Sequence, residues 1–527
     1  MKQNFLWWRD GIIYQIYPRS FADSNNDGIG DLQGIISKLD YLEALGIDAI
    51  WLSPIYPSPD VDFGYDVADY KDIDPKFGTM KDFEQLVKES KKREIHIILD
   101  LVLNHTSDQH PWFIESKKSK DNPYHDWYLW HDPNPNGDPP NNWQAIFGGS
   151  AWEYDPQLDQ YYYHMFYKEQ PDVNWRNPNV REAILDVFRF WLKKGVDGFR
   201  LDVFNAYFKD EEFKDNPPKL GIRPFDWQEH IYDVSQPEMY PLLNEIRDIL
   251  DKRKETYAVG ETFLADTEQT ASYCGKDKLH AAFNFEFAEN RWLPKGFLNS
   301  ALKWYQALGE DAWPNNFLSN HDTERAASRY CFGEDDRRAK VAAAMLLTLK
   351  GTPFIYYGEE IGMRNIPVRK KSEVKDPIGK TYWPFFKGRD GCRAPMQWNS
   401  EVNGGFSDTV PWLPVHQDYA GRNVKQQISD PDSLLNFFKK LIAIRRSEPA
   451  LQKGDFTPLV EDPRRILAYQ RTYANDRIVV ILNFSSRELS FMLPEGNWLS
   501  MVADVDTLVS DSITLSPYQV NILKRKG

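Results

Sequence analysis

A chain of 527 residues is longer than one ordinary domain and suits an α/β barrel with insertions and an appended module, two or three domains in all. Its formal charge of −14, from 64 Lys and Arg against 78 Asp and Glu, argues against a nucleic-acid partner, which would need a basic face. Cys274, Cys331 and Cys392 are an odd number without metal-ligand spacing, so neither a disulfide framework nor a zinc site is indicated and buried thiols are expected.

The N-terminus, MKQNFLWWRDGIIYQ, lacks a basic segment followed by an apolar one, and no apolar run reaches membrane-spanning length. A soluble cytoplasmic protein without a membrane partner is the expectation. Aromatic residues make up 14% of the chain, including 18 Trp and 27 Tyr, more than a core requires and compatible with surfaces that stack on sugars.

Gly11 to Pro18 (GIIYQIYP) is an apolar run bounded by Gly and Pro and predicts the first buried strand. Asp23 to Asp31 (DSNNDGIGD) alternates oxygen-bearing residues around Gly28, similar to the opening of a calcium loop, in which hard oxygens surround a hard cation; the alternative is a solvated acidic turn. Leu32, Ile35, Ile36, Leu39 and Leu42 recur at helical spacing between Asp31 and Leu45, and Ile47 to Ile55 predicts the second strand. Thr79 to Arg93 is the next helix and Ile95 to His105 the third strand. From Thr106 to about Tyr167 the pattern breaks: Pro, Asn, Asp, Trp and Tyr dominate, no long helix fits, and the length exceeds that of a barrel loop, which marks a functional insertion.

Val180 to Lys194 has helical spacing and feeds the fourth strand in GVDGFRLDV, Gly195 to Val203. The helix Pro237 to Lys254 leads to the fifth strand in TYAVGET, Thr256 to Thr262. Ala281 to Phe287 predicts the sixth, Asn315 to Asp322 the seventh and Thr352 to Glu360 the eighth. Beyond the helix Ser433 to Arg446, short β-type runs alternate with turn residues and predict a C-terminal antiparallel β-domain, a sandwich.

Carboxylates stand where three of these strands end: Asp202, Glu261 and Asp322, the last preceded by His321. In a barrel of parallel strands the C-terminal strand ends face the active-site mouth. Arg200, two residues before Asp202, lies on the same strand face, where its fixed charge keeps a neighbouring carboxylate ionised and fit to attack. A buried Asp–Arg pair serving packing is the competing reading for that strand alone.

Together with DLVLNH (Asp100 to His105), these strand ends resemble the signatures of the α-amylase superfamily of glycoside hydrolases, which includes α-glucosidases and oligo-1,6-glucosidases. GIDAIWLSPI (Gly46 to Ile55), QPDVNW (Gln170 to Trp175), GTPFIYYGEEIG (Gly351 to Gly362) and GRDGCRAPMQW (Gly388 to Trp398) match in the family's order, so the resemblance covers nearly the whole chain. It implies a (β/α)8 TIM barrel (1–105 and 168–450), a domain B inserted after strand 3 (106–167) and a C-terminal β-sandwich (451–527).

The resemblance also implies roles. Asp202 is the nucleophile, Glu261 the general acid/base and Asp322 the third carboxylate, binding the 2- and 3-hydroxyls, with Arg200 and His321 completing the shell. Asp62 binds the terminal glucose, Tyr65 is the stacking floor and His105 donates to the 6-hydroxyl. Phe147 and Phe166 line the pocket or belong to the insertion's own core. Arg389, in preference to Arg393, clamps a hydroxyl or pairs with Asp62 to close the pocket behind one glucose. A structural Ca²⁺, or Mg²⁺, is held by Asp23, Asn25, Asp27, the Ile29 carbonyl and Asp31. No phosphate-cradling or dinucleotide motif is present, so no organic cofactor is implied.

The activity implied is that of a retaining exo-acting α-glucosidase on short oligosaccharides and small α-glucosides, as a monomer or homodimer. Val203, directly after the nucleophile, accompanies α-1,6 action in this family where Thr or Ala accompanies α-1,4 preference, yet LDVFNAYFKD departs from the sequence of oligo-1,6-glucosidases. Alternatives are a transglycosylating or isomerising relative, such as a trehalose synthase or sucrose isomerase, and a non-catalytic relative such as a transporter heavy subunit. The latter carries an anchor and lacks the carboxylates.

Overall fold

The computed structural model describes residues 5–502 and 508–526. Strands β1 (Ile13–Ile16), β2 (Ala49–Leu52) and β3 (His96–Leu101) pair in parallel. The connection after β3 carries a small antiparallel sheet of β4 (Trp130–His131), β5 (Trp152–Asp155) and β6 (Gln160–Tyr163), with β6 central. Then β7 (Gly198–Leu201), β8 (Tyr257–Gly260), β9 (Ala281–Ala282), β10 (Asn315–Asn316) and β11 (Thr352–Tyr356) complete an eight-stranded parallel sheet. β11 pairs with β1, Phe354 opposite Ile13, so the strands follow one another around a barrel. Between β9 and β10 the circle is closed by Asn315 Nδ2, which donates to the Ala282 carbonyl at 3.0 Å.

The twofold repeat of a strand explains what fills this barrel. Ile13, Ala49, Trp51, Ile98, Tyr257, Val259 and Phe354 point inward and pack as one cluster, whereas Tyr14, Ile50, Leu52, Ile97, Leu99 and Phe199 join the larger core shared with the surrounding helices. Carried one step further toward the C-terminal ends, the same alternation turns polar: Gln15 follows Ile13, Asp100 follows Ile98, Arg200 follows Gly198 and Glu261 follows Val259. The apolar layers are thus the floor on which a charged layer rests.

The helices are set by local chemistry. Met80–Lys92 begins with a capping box between Thr79 and Asp82. Pro178–Lys193 begins with an Asn177 cap and buries Val180, Ile184, Val187, Phe188 and Trp191. Three expectations are corrected. The helix expected from Asp31 to Leu45 is two, Leu32–Ser37 and Leu39–Leu45, broken at Lys38. The sixth strand is two residues long because Asn284 turns the chain into the short helix Phe285–Ala288, its Oδ1 accepting from the Phe287 N–H at 3.2 Å. The seventh ends early because Asn320 Oδ1 accepts from the Asp322 and Thr323 N–H groups at 2.9 and 2.8 Å and curls the segment into a turn.

After the helix Leu434–Ser447 come β12 (Asp455–Pro458), β13 (Ile466–Tyr473), β14 (Asp476–Asn483), β15 (Leu489–Met492), β16 (Trp498–Ser500), β17 (Leu508–Val509), β18 (Ser512–Leu515) and β19 (Val520–Arg525). Six form an antiparallel sheet ordered β12-β13-β14-β19-β16-β17, and β15 pairs with β18. Phe491, Ile513 and Leu515 of the small sheet pack on Ala468, Val479, Ile481 and Leu523 of the large one. All three cysteines are buried free thiols.

Candidate active site

The charged layer gathers around Arg200, whose side chain is 1% exposed. One terminal nitrogen, Nη1, donates to both Asp100 Oδ1 and Asp202 Oδ1 at 2.6 Å, and Nη2 donates to Glu261. One guanidinium therefore holds carboxylates from the ends of three consecutive barrel strands. Removing a single partner from so dry a cluster leaves an uncompensated charge, which fixes the carboxylates relative to one another. The backbone adds to this: the Asp202 N–H donates to the Leu101 carbonyl at 3.0 Å and the Glu261 N–H to the Leu201 carbonyl at 2.9 Å.

Burial, reinforced by the negative charges of Asp202, Asp322 and Asp100, pushes the Glu261 carboxyl well above the usual glutamate range in spite of Arg200. That shift favours the protonated form of its carboxyl. Burial likewise carries Asp100 up to about 7, against the pull of Arg200 and with the push of Asp202.

Asp322 stands in the opposite environment. Desolvation would raise it, but His321, Arg389 and Arg393 outweigh that effect and hold its carboxyl well below the ordinary aspartate range. Arg393 Nη2 donates to Asp322 Oδ1 at 2.9 Å and Arg389 Nη1 to the same oxygen at 3.2 Å. His321 is fully buried, and burial lowers its pKa. The Gln15 amide donates to its Nδ1 at 2.7 Å, which leaves the proton on Nε2, 2.5 Å from the Tyr65 hydroxyl and 3.0 Å from Asp322.

Tyr65 lies parallel to His321, ring centroids 5.3 Å apart, and its hydroxyl donates to Asp100 at 3.0 Å. Arg389 forms a second hub. It donates to Asp62 at 2.6 Å and to both oxygens of Asp376 at 2.9 and 3.0 Å, besides its contact with Asp322. Its guanidinium also lies 5.8 Å from the Phe147 ring centre. Phe147 packs against Phe166 at 5.6 Å, and Phe166 against His105 at 5.0 Å, which brings the insertion's aromatics beside the barrel mouth. Val203 is buried in the left-handed region, φ 33° and ψ 40°, a strained conformation for a β-branched residue.

The structure thus brings together Asp202, Glu261, Asp322, Arg200, His321, Tyr65, Asp62 and Arg389. His105 also lies at the mouth, its Nε2 3.0 Å from the Tyr65 carbonyl and 3.1 Å from the Gln170 amide nitrogen and its Nδ1 3.2 Å from the Asn104 amide nitrogen. Sequence reasoning gave no role to Asp100, Gln15 or Asp376. Asp100 carried a usable signal, a lone charge inside an apolar strand.

Asp23, Asn25, Asp27, Ile29 and Asp31 lie apart from this site, between β1 and its helix. Asp23 accepts from the N–H groups of Asn25, Asn26 and Gly28 at 3.1, 2.8 and 2.8 Å, Asn25 from that of Asp27 at 2.9 Å, and Asp27 from that of Ile29 at 2.8 Å. Gly28 takes φ 90°, and a Cβ there would stand 2.4 Å from the Val410 carbonyl, so the loop is docked on a segment far along the chain. Asp31 turns inward, accepting from Gly34 N–H at 2.6 Å as a helix cap and from Ser24. The oxygen donors fit a hard cation in kind. Among the described residues, no group of three or more acidic, His or Cys side chains is placed to hold a metal ion.

A (β/α)8 barrel whose mouth holds three carboxylates tied by buried arginines belongs to the class of carboxylate-dependent barrel enzymes. The alpha-amylase catalytic-domain model matches residues 15–454, and the chain belongs to the alpha-amylase family. It is 44% identical over 506 residues, covering 93% of this chain and 91% of the relative, to a probable alpha-glucosidase of Rhizobium meliloti (strain 1021). It is 41% identical, with 99% of each chain covered, to an oligo-1,6-glucosidase of Bacillus cereus. Among solved structures, the alpha-glucosyl transfer enzyme XgtA superposes with a TM-score of 0.94 at 38% identity, covering 99% of this chain and 100% of that one. The trehalulose synthase MutB from Pseudomonas mesoacidophila MX-45 gives 0.91 at 36%, with 99% of each chain covered.

Proposed function

We propose that the protein is a retaining, exo-acting α-glucosidase that releases terminal glucose from short α-glucosides. The observation that carries this reading is the pairing of Asp202 with Glu261 across Arg200, with the Glu261 proton retained by burial. Two carboxyls within the span of one guanidinium suit the short separation, about 5 to 5.5 Å, of retaining glycosidases. Asp202 attacks C1 while Glu261 gives its proton to the departing oxygen and the glycosidic bond breaks. Water then attacks C1, Glu261 takes the water's proton, and the bond to Asp202 breaks. Asp322, ionised and faced by two arginines, accepts hydrogen bonds from sugar hydroxyls. The Asp62–Arg389 pair ends the pocket after one ring, which supports action at a chain end. Tyr65, over the neutral His321, offers its face to the sugar.

The reading is tested by incubation with maltose, isomaltose, sucrose and trehalose and analysis of the products. Free glucose as the main product supports hydrolysis. The fold likeness to XgtA and to MutB favours a second reading, glucosyl transfer or isomerisation, which the same incubation reads as new disaccharides.

Specificity rests on Val203. We propose that it walls the place where the leaving sugar sits, with α-1,6 substrates accepted alongside α-1,4 ones. Thr is β-branched like Val, so Val203→Thr changes polarity at that wall without relieving the strained backbone. Pocket-wall changes of methyl scale discriminate by about 1 to 3 kcal/mol. The ratio of kcat/KM for isomaltose to that for maltose should fall severalfold in the variant, with both activities kept; an unchanged ratio removes Val203 from the argument.

We further propose that Asp23, Asn25, Asp27, the Ile29 carbonyl and Asp31 hold a structural Ca²⁺ or Mg²⁺. The docking of this loop on residues 406–412 supports a stabilising rather than chemical role. Metal that binds only the folded loop raises stability by mass action. Chelation should lower Tm and leave kcat unchanged below the transition; lost turnover at constant Tm contradicts this. The partition into 1–105 with 168–450, 106–167 and 451–527 is proposed on the positions of the three sheet systems, and the three free thiols support a reducing, cytoplasmic setting for a monomer or homodimer.

A further inference from the structure

The aromatic face of the inserted sheet extends beyond its core. In the register of β5 and β6, Trp152 lies opposite Tyr163 and Tyr154 opposite Tyr161, so the four side chains share one face. Trp152 and Tyr163 are buried with Trp143 and Met165, but Tyr154 is 43% exposed, its ring centre 5.2 Å from that of Tyr161. The chain leaves β4 beside this pair, His131 standing opposite Tyr161, and the loop that follows lines, with the two rings, a cleft of about 710 Å³. None of the residues gathered at the barrel mouth belongs to its walls.

The cleft is preorganised, which lowers the cost of binding. The Tyr161 hydroxyl donates to the Gly137 carbonyl at 3.0 Å and the Tyr154 hydroxyl to Asp159 Oδ1 at 2.7 Å, so both rings are fixed at their tips. Within the loop, the Gly137 N–H donates to the Asn134 carbonyl at 2.7 Å and the Asn134 N–H to the Asp138 carbonyl at 2.9 Å. Lys120 and Gln160 both donate to Asp132 Oδ1 at 2.9 Å. Asp132 and Asp159 are thus engaged through one oxygen each, and the Oδ2 of each accepts from no described residue. Pro133 and Pro135 complete the loop's side, and the described walls hold no Leu, Ile, Val or Met on which an acyl chain or apolar peptide could lie. Lys120 is the one cation in them against Asp132 and Asp159, which disfavours anions. Carboxylate acceptors beside two fixed aromatic faces suit a neutral ring with C–H bonds on its face and hydroxyls at its edge.

We propose that this cleft is a second sugar-binding site, separate from the barrel mouth and without chemistry of its own. A glucose ring of an α-glucan rests on Tyr154 and Tyr161 and donates hydroxyls to Asp132 and Asp159. The neutral sugar follows from the cleft itself; that it belongs to an α-glucan rests on the α-glucosidase reading.

α-Cyclodextrin, a closed ring of α-glucose without a chain end, is the probe, because a pocket closed behind one terminal glucose gives it no entry. Calorimetric titration of the parent protein should show it bound. Tyr154→Ala should weaken that binding about fivefold or more, the loss of one stacking face, and Tyr154→Phe, which keeps the face, should retain it. Both variants should keep the parental kcat/KM on maltose. Phe385→Ser removes a ring that is 97% exposed on another loop and should bind as the parent does, which separates the cleft from capture of any exposed aromatic side chain. Nitration of the parent by tetranitromethane gives a reading independent of any variant's folding. Cyclodextrin should slow modification of Tyr154, located by peptide fragmentation, and not that of Tyr473, which is 40% exposed at the end of β13. Absence of binding by the parent, undiminished binding by Tyr154→Ala, or an unprotected Tyr154 overturns the proposal while leaving glucose release from maltose intact. Failure of the parent to release glucose from maltose overturns the α-glucosidase reading instead.

Discussion

Asp202→Ala should lower kcat on small α-glucosides by on the order of 10⁴-fold or more, because in the proposed mechanism Asp202 is the nucleophile. Glu261→Gln should cost about 10² to 10⁴-fold on disaccharides, and less on substrates whose leaving group departs without a proton. The pH dependence follows in sign. Since the Glu261 carboxyl is pushed above the usual range, its acid form persists to higher pH than that of an ordinary glutamate, and kcat/KM should fall on the alkaline side as that proton is lost. Glu261→Gln should abolish this alkaline limb. Steady-state kinetics on an aryl α-glucoside and on maltose, across pH, check all four outcomes; near-parental turnover by either variant contradicts the assignment.

Arg389→Ala should be among the most damaging substitutions outside the carboxylates. Arg389 is the shared partner of Asp62 and Asp376, whose side chains are 5% and 0% exposed, and it also reaches Asp322. Leaving buried carboxylates without their cation costs about 3 to 5 kcal/mol. Burial would raise Asp376, but Arg389 outweighs it and holds the carboxyl below the ordinary value, so the stability it lends is complete above that value and fades as pH falls through the depressed one. The variant should therefore lose several degrees or more in Tm near neutrality and less at low pH. Its KM for glucosides should rise together with a fall in kcat, because the end wall of the pocket goes with it. Arg389→Lys should recover part of the stability but not the fork that contacts three carboxylates at once. A variant with parental Tm and KM would remove Arg389 from its place as the closing residue.

The barrel was legible because its strands are buried on both faces and read as apolar runs ending in charges. Asp202, Glu261 and Asp322 stood out for that reason. Strand length was less legible: the sixth and seventh strands read as seven- and eight-residue runs, but Asn284 and Asn320 cut them short by capping a helix and a turn, side-chain choices that apolar periodicity does not report. The role of Asp100 depended on Arg200 reaching across strands, and that of Asp376 on Arg389 folding back thirteen residues. Such pairings join residues that spacing along the chain leaves unrelated. His105 shows the opposite case. Its position at a strand end was clear in the sequence, while the Tyr65 carbonyl and the Gln170 amide that meet its Nε2 came from other segments.

The central claim is that Asp202 forms a covalent bond to the sugar, and trapping with 5-fluoro-α-glucosyl fluoride tests it most directly. The reagent forms the glycosyl-enzyme quickly and releases it slowly, so peptide mass mapping of the inactivated protein should find one added fluoroglucosyl group on the peptide containing Asp202. An adduct on another residue, or steady turnover of the reagent with no adduct, would contradict the account.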